Sequence, residues 1–175
     1  MLAESIEMDG ITQPEALMAY PLAFERVREK ISLFGGLSDR QQNLIFPYLN
    51  FATFSRGDCL FKQGQLPGNI YIVLTGEVQL QVARQDGSAV AVSYLPGDCF
   101  GETSVIGIQP QLGTAIVAED AQVIVLSRSC LLEVSAYDPE MFGILMMNVA
   151  REISRRFHST LMADQGCDVL PVMRA

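Results

Sequence analysis

From Pro14 to about Phe34 apolar residues recur at helical intervals, and Gly35 and Gly36 then stop the pattern. The spacing predicts a helix there, led by a polar, aperiodic stretch over residues 1–13. In "LSDRQQNLIFPYL", Ser38 and Gln41 have the spacing of a capping box, with Leu44 and Ile45 facing inward, so a short second helix follows. Pro47 ends or kinks it. From Phe51 the period falls to two. Val78, Leu80 and Val82 alternate with Gln79 and Gln81 in "YIVLTGEVQLQVARQDGSAVAVSYL", and Asp86-Gly87 supplies the turn of a hairpin. Pairs of Gly or acidic residues at Gly57-Asp58, Gly97-Asp98 and Glu119-Asp120 repeat the rhythm of short strand and turn. About eight short strands at this spacing predict an antiparallel roll or sandwich.

After Ser127 the helical period returns. "DPEMFGILMMNVAREISRRFHSTLMAD" places Asp138 as an N-cap and Pro139 at the first helical position. Phe142, Met146, Val149, Ile153, Phe157 and Leu161 then fall three or four apart. The first half of this helix is apolar nearly all round and the second half has one apolar face. That predicts a helix held between its own domain and something else, a second copy of the chain being the simplest partner. The division is a flexible N-terminus over 1–13, N-terminal helices over 14–50, a β-roll over 51–127, C-terminal helices over 128–164 and a flexible tail over 165–175.

Composition narrows the chemistry. The chain has 175 residues, 49% of them hydrophobic, which suits one compact domain. Its formal net charge of −8 opposes direct DNA binding, which needs clustered cations to displace counterions from phosphates. A single histidine, His158, cannot build a histidine-based metal centre and leaves a cysteine nucleophile without a choice of base. Four scattered cysteines form no CxxC pair, the start of the chain does not read as a signal segment, and no apolar run is long enough to span a bilayer. A cytoplasmic, non-enzymatic protein is expected, with Cys59 and Cys99, which sit within strand patterns, as buried, inert thiols.

Three stretches are recognisable together: "FSRGDCLFKQGQLPGNIYIVLTGEVQLQV" (54–82), "LPGDCFGE" (95–102) and Pro110-Gln-Leu-Gly-Thr-Ala115. They resemble the cyclic-nucleotide-binding domain of bacterial catabolite activators and of protein kinase A regulatory subunits, over about residues 31 to 163. The resemblance implies a mainly β fold with flanking helices: an eight-stranded antiparallel β-roll, jelly-roll-like, with N-terminal helices and a long C-terminal helix. It also makes residues 100–115, "FGETSVIGIQPQLGTA", a phosphate-binding cassette. Gly101 would let backbone approach the ligand. Glu102 would accept from a ribose 2′-hydroxyl. Thr103 and Ser104 would begin a short helix up to Ile106 whose N–H groups face the phosphate.

The cassette departs from the family where charge is needed. The family sets an arginine and a small residue after the proline, but Gln111 and Leu112 stand here, before Gly113. A glutamine amide offers two neutral donors in place of a charged fork. Losing such a desolvated charged contact costs about 2–5 kcal/mol, tens- to thousands-fold in affinity. Leu112 also adds bulk. No Lys or Arg lies between Arg84 and Arg128, while Asp86, Asp98, Glu102, Glu119 and Asp120 do. A cation could come from Arg151, Arg155 or Arg156, although a solvated helix face with Arg156 paired to Glu152 accounts for them as well. Carried along the helix, the family's purine-contacting positions fall on Arg156 and Phe157, either of which could stack on a base.

The ligand-binding candidates are therefore Gly101, Glu102, Thr103, Ser104, Gln111, Leu112, Gly113, Arg156 and Phe157, with no catalytic and no metal-binding residue. Cyclic AMP or cyclic GMP is the candidate ligand, and no other cofactor is implied. No helix-turn-helix module like that of the catabolite activators is expected after the long helix. Expected is a regulatory module that dimerises through its C-terminal helix and acts on an unidentified protein partner, without DNA or membrane contact, its cyclic-nucleotide binding weakened or lost. The alternative is a sensor of cyclic AMP, cyclic GMP or another nucleotide or anion, bound through Glu102, the cassette backbone and an arginine of the C-terminal helix.

Overall fold

The computed structural model describes residues 22–83 and 88–165. The flexible start expected over 1–13, the Asp86-Gly87 turn and tail residues 166–175 lie outside them. Residues 22–27 are helical, but the helix expected to reach Phe34 gives way to two 3-10 turns, Arg28–Lys30 and Ser32–Phe34. The helix α1 (Asp39–Ile45) begins with the capping box read from the sequence: Gln41 N donates to Ser38 Oγ at 3.3 Å, and Ser38 N donates to Gln41 Oε1 at 3.0 Å. Pro47 lies in a further 3-10 turn, Phe46–Tyr48, after α1 has ended.

The strands are β1 (Asn50–Phe54), β2 (Cys59–Phe61), β3 (Asn69–Ala83), β4 (Ala89–Tyr94), β5 (Cys99–Phe100) and β6 (Thr114–Ser127). The cassette helix α2 (Glu102–Gly107) separates β5 from β6, and α3 (Arg128–Tyr137) and α4 (Pro139–Gln165) close the chain. All pairings are antiparallel, in the order β1-β6-β3-β4, with β2 also on β6 and β5 also on β3.

Counted by pairing, the described residues form six strands rather than eight, because β3 and β6 are each long enough to act twice. Near its start β3 pairs with β5, at Tyr71 and Ile72, and beyond its bend it pairs with β4 from Val78 to Ala83. Similarly, β6 meets β2 at one end and β1 at the other. The register between β3 and β6 shifts repeatedly between Val73 and Val78. At the centre of that shift Gly76 has φ +77, and a Cβ there would lie 2.2 Å from the Asp120 carbonyl oxygen. Only glycine lets the two backbones cross so closely, and the resulting bulge bends the sheet into a roll.

Both faces of the first half of β3 are buried, and its period of two sorts them. Ile70, Ile72 and Leu74 join Ile124 and Leu126 against the helices, packing with Leu33, Phe34, Ile45, Leu145 and Val149. Tyr71 and Val73 face the inside of the roll with Val78, Phe100, Val117 and Val123. The start of α4 is fixed by Asp138, whose Oδ1 accepts from Met141 N at 2.9 Å, with Pro139 in the first turn. Buried Asn148 then ties α4 to the N-terminal turns, donating to the carbonyls of Leu33 (3.0 Å) and Gly35 (2.7 Å). Those contacts anchor the helix whose second half, from Glu152 to Thr160, lines a pocket against the roll.

Candidate functional site

A pocket of about 890 Å³ opens between the roll, the cassette and the second half of α4. Its apolar wall comes from Phe61, Leu80, Val82, Val92 and Tyr94, and α4 contributes Glu152, Ile153, Arg155, Arg156 and Phe157. Of the sequence candidates, Gly101, Glu102, Thr103, Ser104, Gln111, Leu112, Arg156 and Phe157 all line it. Gly113 does not. A Cβ on Gly113 would lie 2.6 Å from the Gln81 carbonyl oxygen, so glycine there lets the cassette pass close beside β3.

The cassette is shaped by its own backbone. Gly101 has φ +84, and a Cβ there would meet the Asn69 carbonyl oxygen at 2.8 Å. Its glycine is thus required by the turn itself, a reason independent of any ligand. The turn leads straight into α2 and puts Glu102 inside, with 1% of its surface exposed, beside buried Ser104 and exposed Thr103. At the far end Gln111 is buried, and its backbone is bonded in both directions to the 64–65 turn: Gly64 N donates to Gln111 O, and Gln111 N to Gln65 O, each at 2.8 Å. Leu112, expected to crowd the pocket, is instead 67% exposed at its edge.

Arg156 is not on a solvated face. Its Nη1 donates to Glu102 Oε1 at 2.7 Å, its Nη2 donates to the Cys99 carbonyl, and Nη2 lies 3.2 Å from Glu152 Oε1. The guanidinium carbon stands 5.0 Å from the centre of the Tyr94 ring, a cation–π arrangement. Pairing with Glu152 and entry into the pocket, read from the sequence as alternatives, occur together because a guanidinium has five donors in a fixed fork. Glu152 in turn accepts from Ser32 Oγ at 3.0 Å and pairs with Arg155. Arg151 leaves the pocket to bond Asn148 Oδ1 at 3.0 Å.

These charges shape one another. Burial raises the Glu102 carboxyl above its ordinary value, and Arg156 and a backbone hydrogen bond only partly offset this. For Arg156, burial works against the charge, but Glu102, Tyr94, Cys99 and Glu152 outweigh it and hold the guanidinium above its usual value. Burial likewise pushes the Cys99 thiol up to about 12, which makes it a poor nucleophile, whereas Cys59, expected to be buried as well, is exposed at the start of β2. Among the described residues no group of three His, Cys, Asp or Glu side chains could hold a metal ion, and no helix is long and apolar enough to cross a membrane.

Sequence reasoning missed Tyr94, the Cys99 carbonyl and Ser32. Nothing in their spacing marks them, since each reaches the site through the sheet or through α4.

With this geometry in place, comparison with known proteins gives the class. Residues 51–138 match the family model described as the cyclic nucleotide-binding domain, and the chain belongs to that family. It is 28% identical over 139 residues to the cyclic AMP receptor protein of Thermus thermophilus, covering 79% of this chain and 61% of that protein. Against the cAMP-dependent protein kinase regulatory subunit of Mycosarcoma maydis it is 27% identical over 109 residues, 61% of this chain and 21% of that one. The chain therefore spans about three fifths or less of these relatives' length. Among solved structures, the Thermus thermophilus catabolite activator protein superposes with a TM-score of 0.67 at 26% identity, over 75% of this chain and 61% of that one. A cyclic nucleotide-binding domain from Methylobacillus flagellatus shares the fold, with a TM-score of 0.75 at 20% identity over 86% of each chain.

Proposed function

We propose that this chain is a non-enzymatic, cytoplasmic regulatory module that dimerises through α4 and acts on a protein partner without touching DNA, its grip on cyclic nucleotides weakened. The observation that carries the weakened grip is the state of Arg156. It reaches the pocket, but Glu102, Glu152 and the Cys99 carbonyl already engage it. The cassette itself contains no Lys or Arg, and the position after its proline offers only the neutral amide of Gln111. To be paired by Arg156, a phosphate would have to draw the guanidinium off two carboxylates, and it would enter beside Glu102; Lys30 and Arg155 are the other cations lining the pocket.

The surface of α4 supports dimerisation. Gly143, Met147, Ala150, Ser154, Phe157 and Leu161 are all exposed and alternate four and three residues apart, the spacing of a coiled-coil seam. Nothing lies within 4 Å of where a Gly143 Cβ would be, so that end of the face is open. Ile153, by contrast, packs against the chain's own core. Light scattering tests the seam: Met147→Glu with Leu161→Glu is expected to halve the mass of the wild type, and a monomeric wild type contradicts it. Titration with cyclic AMP and cyclic GMP tests the pocket: no saturation below millimolar is expected. Micromolar binding lost in Glu102→Ala contradicts it.

One observation favours a second reading, the ligand sensor. Arg156 stands inside the pocket rather than in solvent, so a phosphate strong enough to draw it away would find a cation at hand.

A further inference from the structure

β4 stands at one edge of the sheet and pairs only with β3. In an antiparallel pair every second residue turns its N–H and C=O away from its neighbour, so half of β4 presents unpaired backbone at that edge. Among the described residues, the backbone of Ala89, Val90, Ala91 and Val92 bonds to nothing but β3. Sheet edges are ordinarily blunted by charge, proline or a bulge. Here residues 88–95, "SAVAVSYL", hold no charge and no proline, and the register with β3 runs without a shift from Val78↔Tyr94 to Ala83↔Ala89. The edge is regular and open to a further strand.

Its side chains say what strand fits. Val90, Val92 and Tyr94 share the face of Val82, Leu80 and Val78, which stand opposite them on β3. That face is uncovered at its margin, where Val92 is 43% exposed, and Leu95, 53% exposed, follows. Ala89, Ala91 and Ser93, on the other face, are small. The Tyr94 end is acidic: Ser93 Oγ donates to Glu77 Oε1 at 2.6 Å, and Leu95 N donates to Asp98 Oδ2 at 2.8 Å. Neither acid has an ion-pair partner among the described residues. Arg156, over the Tyr94 ring, is held by Glu102 and Glu152, and Lys30, packed on Gly97, pairs with neither acid. A second copy's β4 would not bring the missing cation, since residues 85–98 hold Asp86 and Asp98 and no Lys or Arg. Resting on the reading that the chain acts on a protein partner, we infer that this partner docks at the free edge of β4. It adds an extended segment with apolar residues at alternate positions and a Lys or Arg beside Glu77 and Asp98.

Backbone amide shifts of the isotope-labelled full chain test this, in titration with an amidated peptide of about eight residues that alternates valine and threonine and carries lysine at each end. Shifts confined to β4 and its neighbours on β3 are expected, with a Kd of about 10–100 µM. Glutamate in place of the lysines, or Glu77→Gln in the chain, is expected to weaken binding about threefold or more. Peptides N-methylated at one or the other set of alternate residues should separate, because only one set of N–H groups faces the edge: one binds as before and the other about tenfold or more weakly. Equal binding by both, no binding at millimolar peptide, or shifts centred on α4 and the cassette overturns the inference. Shifts in β4 that grow with the chain's own concentration, without peptide, overturn it in favour of a second copy. The partner reading itself falls on a different result, cross-linking in cells that joins the chain only to copies of itself.

Discussion

Arg156 Nη1 lies 2.7 Å from Glu102 Oε1, joining the long closing helix to the cassette across 54 residues of sequence. Because Glu102 is fully buried, removing its partner strands a charge rather than merely breaking a bond. Arg156→Met is expected to lower the stability measured by urea unfolding by about 3 kcal/mol. Glu102→Gln in the same chain should recover part of that, with a coupling of about 1 kcal/mol or more in the double-mutant cycle. Strictly additive effects would show that the pair does not join the two elements.

The two acids that share Arg156 should respond to pH in opposite senses. The Glu102 carboxyl, raised by burial from its ordinary 4.5, holds a proton more tightly folded than unfolded. Its contribution to stability is therefore greatest below 4.5 and is lost as pH climbs through the raised value. Burial pushes Glu152 upward too, but hydrogen bonding from Arg155, the charge of Arg156 and the Ser32 hydroxyl prevail and lower it from 4.5. Its contribution is present above 4.5 and is lost as pH falls through the lowered value. Urea midpoints of Glu102→Gln should thus gain on wild type as pH rises from about 4 to 7, and those of Glu152→Gln should approach wild type at the acid end. Curves that run parallel to wild type would remove the basis for both assignments.

Much of this was legible in the sequence where the cause is local. Ser38 with Gln41, and Asp138 before Pro139, act within one helical turn, so their spacing is enough. The alternation at Val78, Leu80 and Val82 likewise marks a strand that pairs with β4 residue by residue. What spacing could not give is anything that depends on where α4 lies over the roll. A shift of one residue along a helix turns a side chain far around its axis, so only the Asn148 anchors and the path of α4 decide that Arg156 enters the pocket while Arg151 turns away. Gly101 shows the same limit in reverse: its residue type was legible, but the Asn69 carbonyl that demands it belongs to another strand. The doubled roles of β3 and β6 read as eight short strands because the Gly76 bulge interrupts their alternation without ending the pairing.

That bulge gives a prediction of its own. At Gly76 an added methyl would collide with the Asp120 carbonyl oxygen at 2.2 Å and the Glu119 carbonyl oxygen at 2.8 Å, and the positive φ is strained for any L side chain. Gly76→Ala is expected to cost about 3 kcal/mol or more, or to prevent folding. Gly57→Ala, also at positive φ but with nothing within 4 Å, should cost only about 1–2 kcal/mol. Equal losses in thermal unfolding would mean that close backbone approach is not what fixes the bend.

Asn148 should matter to stability although it touches no part of the pocket. Asn148→Leu leaves the Leu33 and Gly35 carbonyls without their donor and frees Arg151, at an expected cost of about 2–3 kcal/mol. Because the same contacts aim α4, the variant should also lose part of the Arg156–Glu102 coupling. A variant as stable as wild type would show that apolar packing alone positions the helix.

The central claim is that the cassette keeps its shape and lacks only a counter-charge, and calorimetry with cyclic AMP on Gln111→Arg, alone and with Leu112→Ala, tests it most directly. Restoring a charged fork where Gln111 now stands is expected to raise affinity for cyclic AMP tens- to thousands-fold over wild type. Wild type that already binds cyclic AMP at micromolar concentration, or variants that fold yet gain nothing, would contradict it.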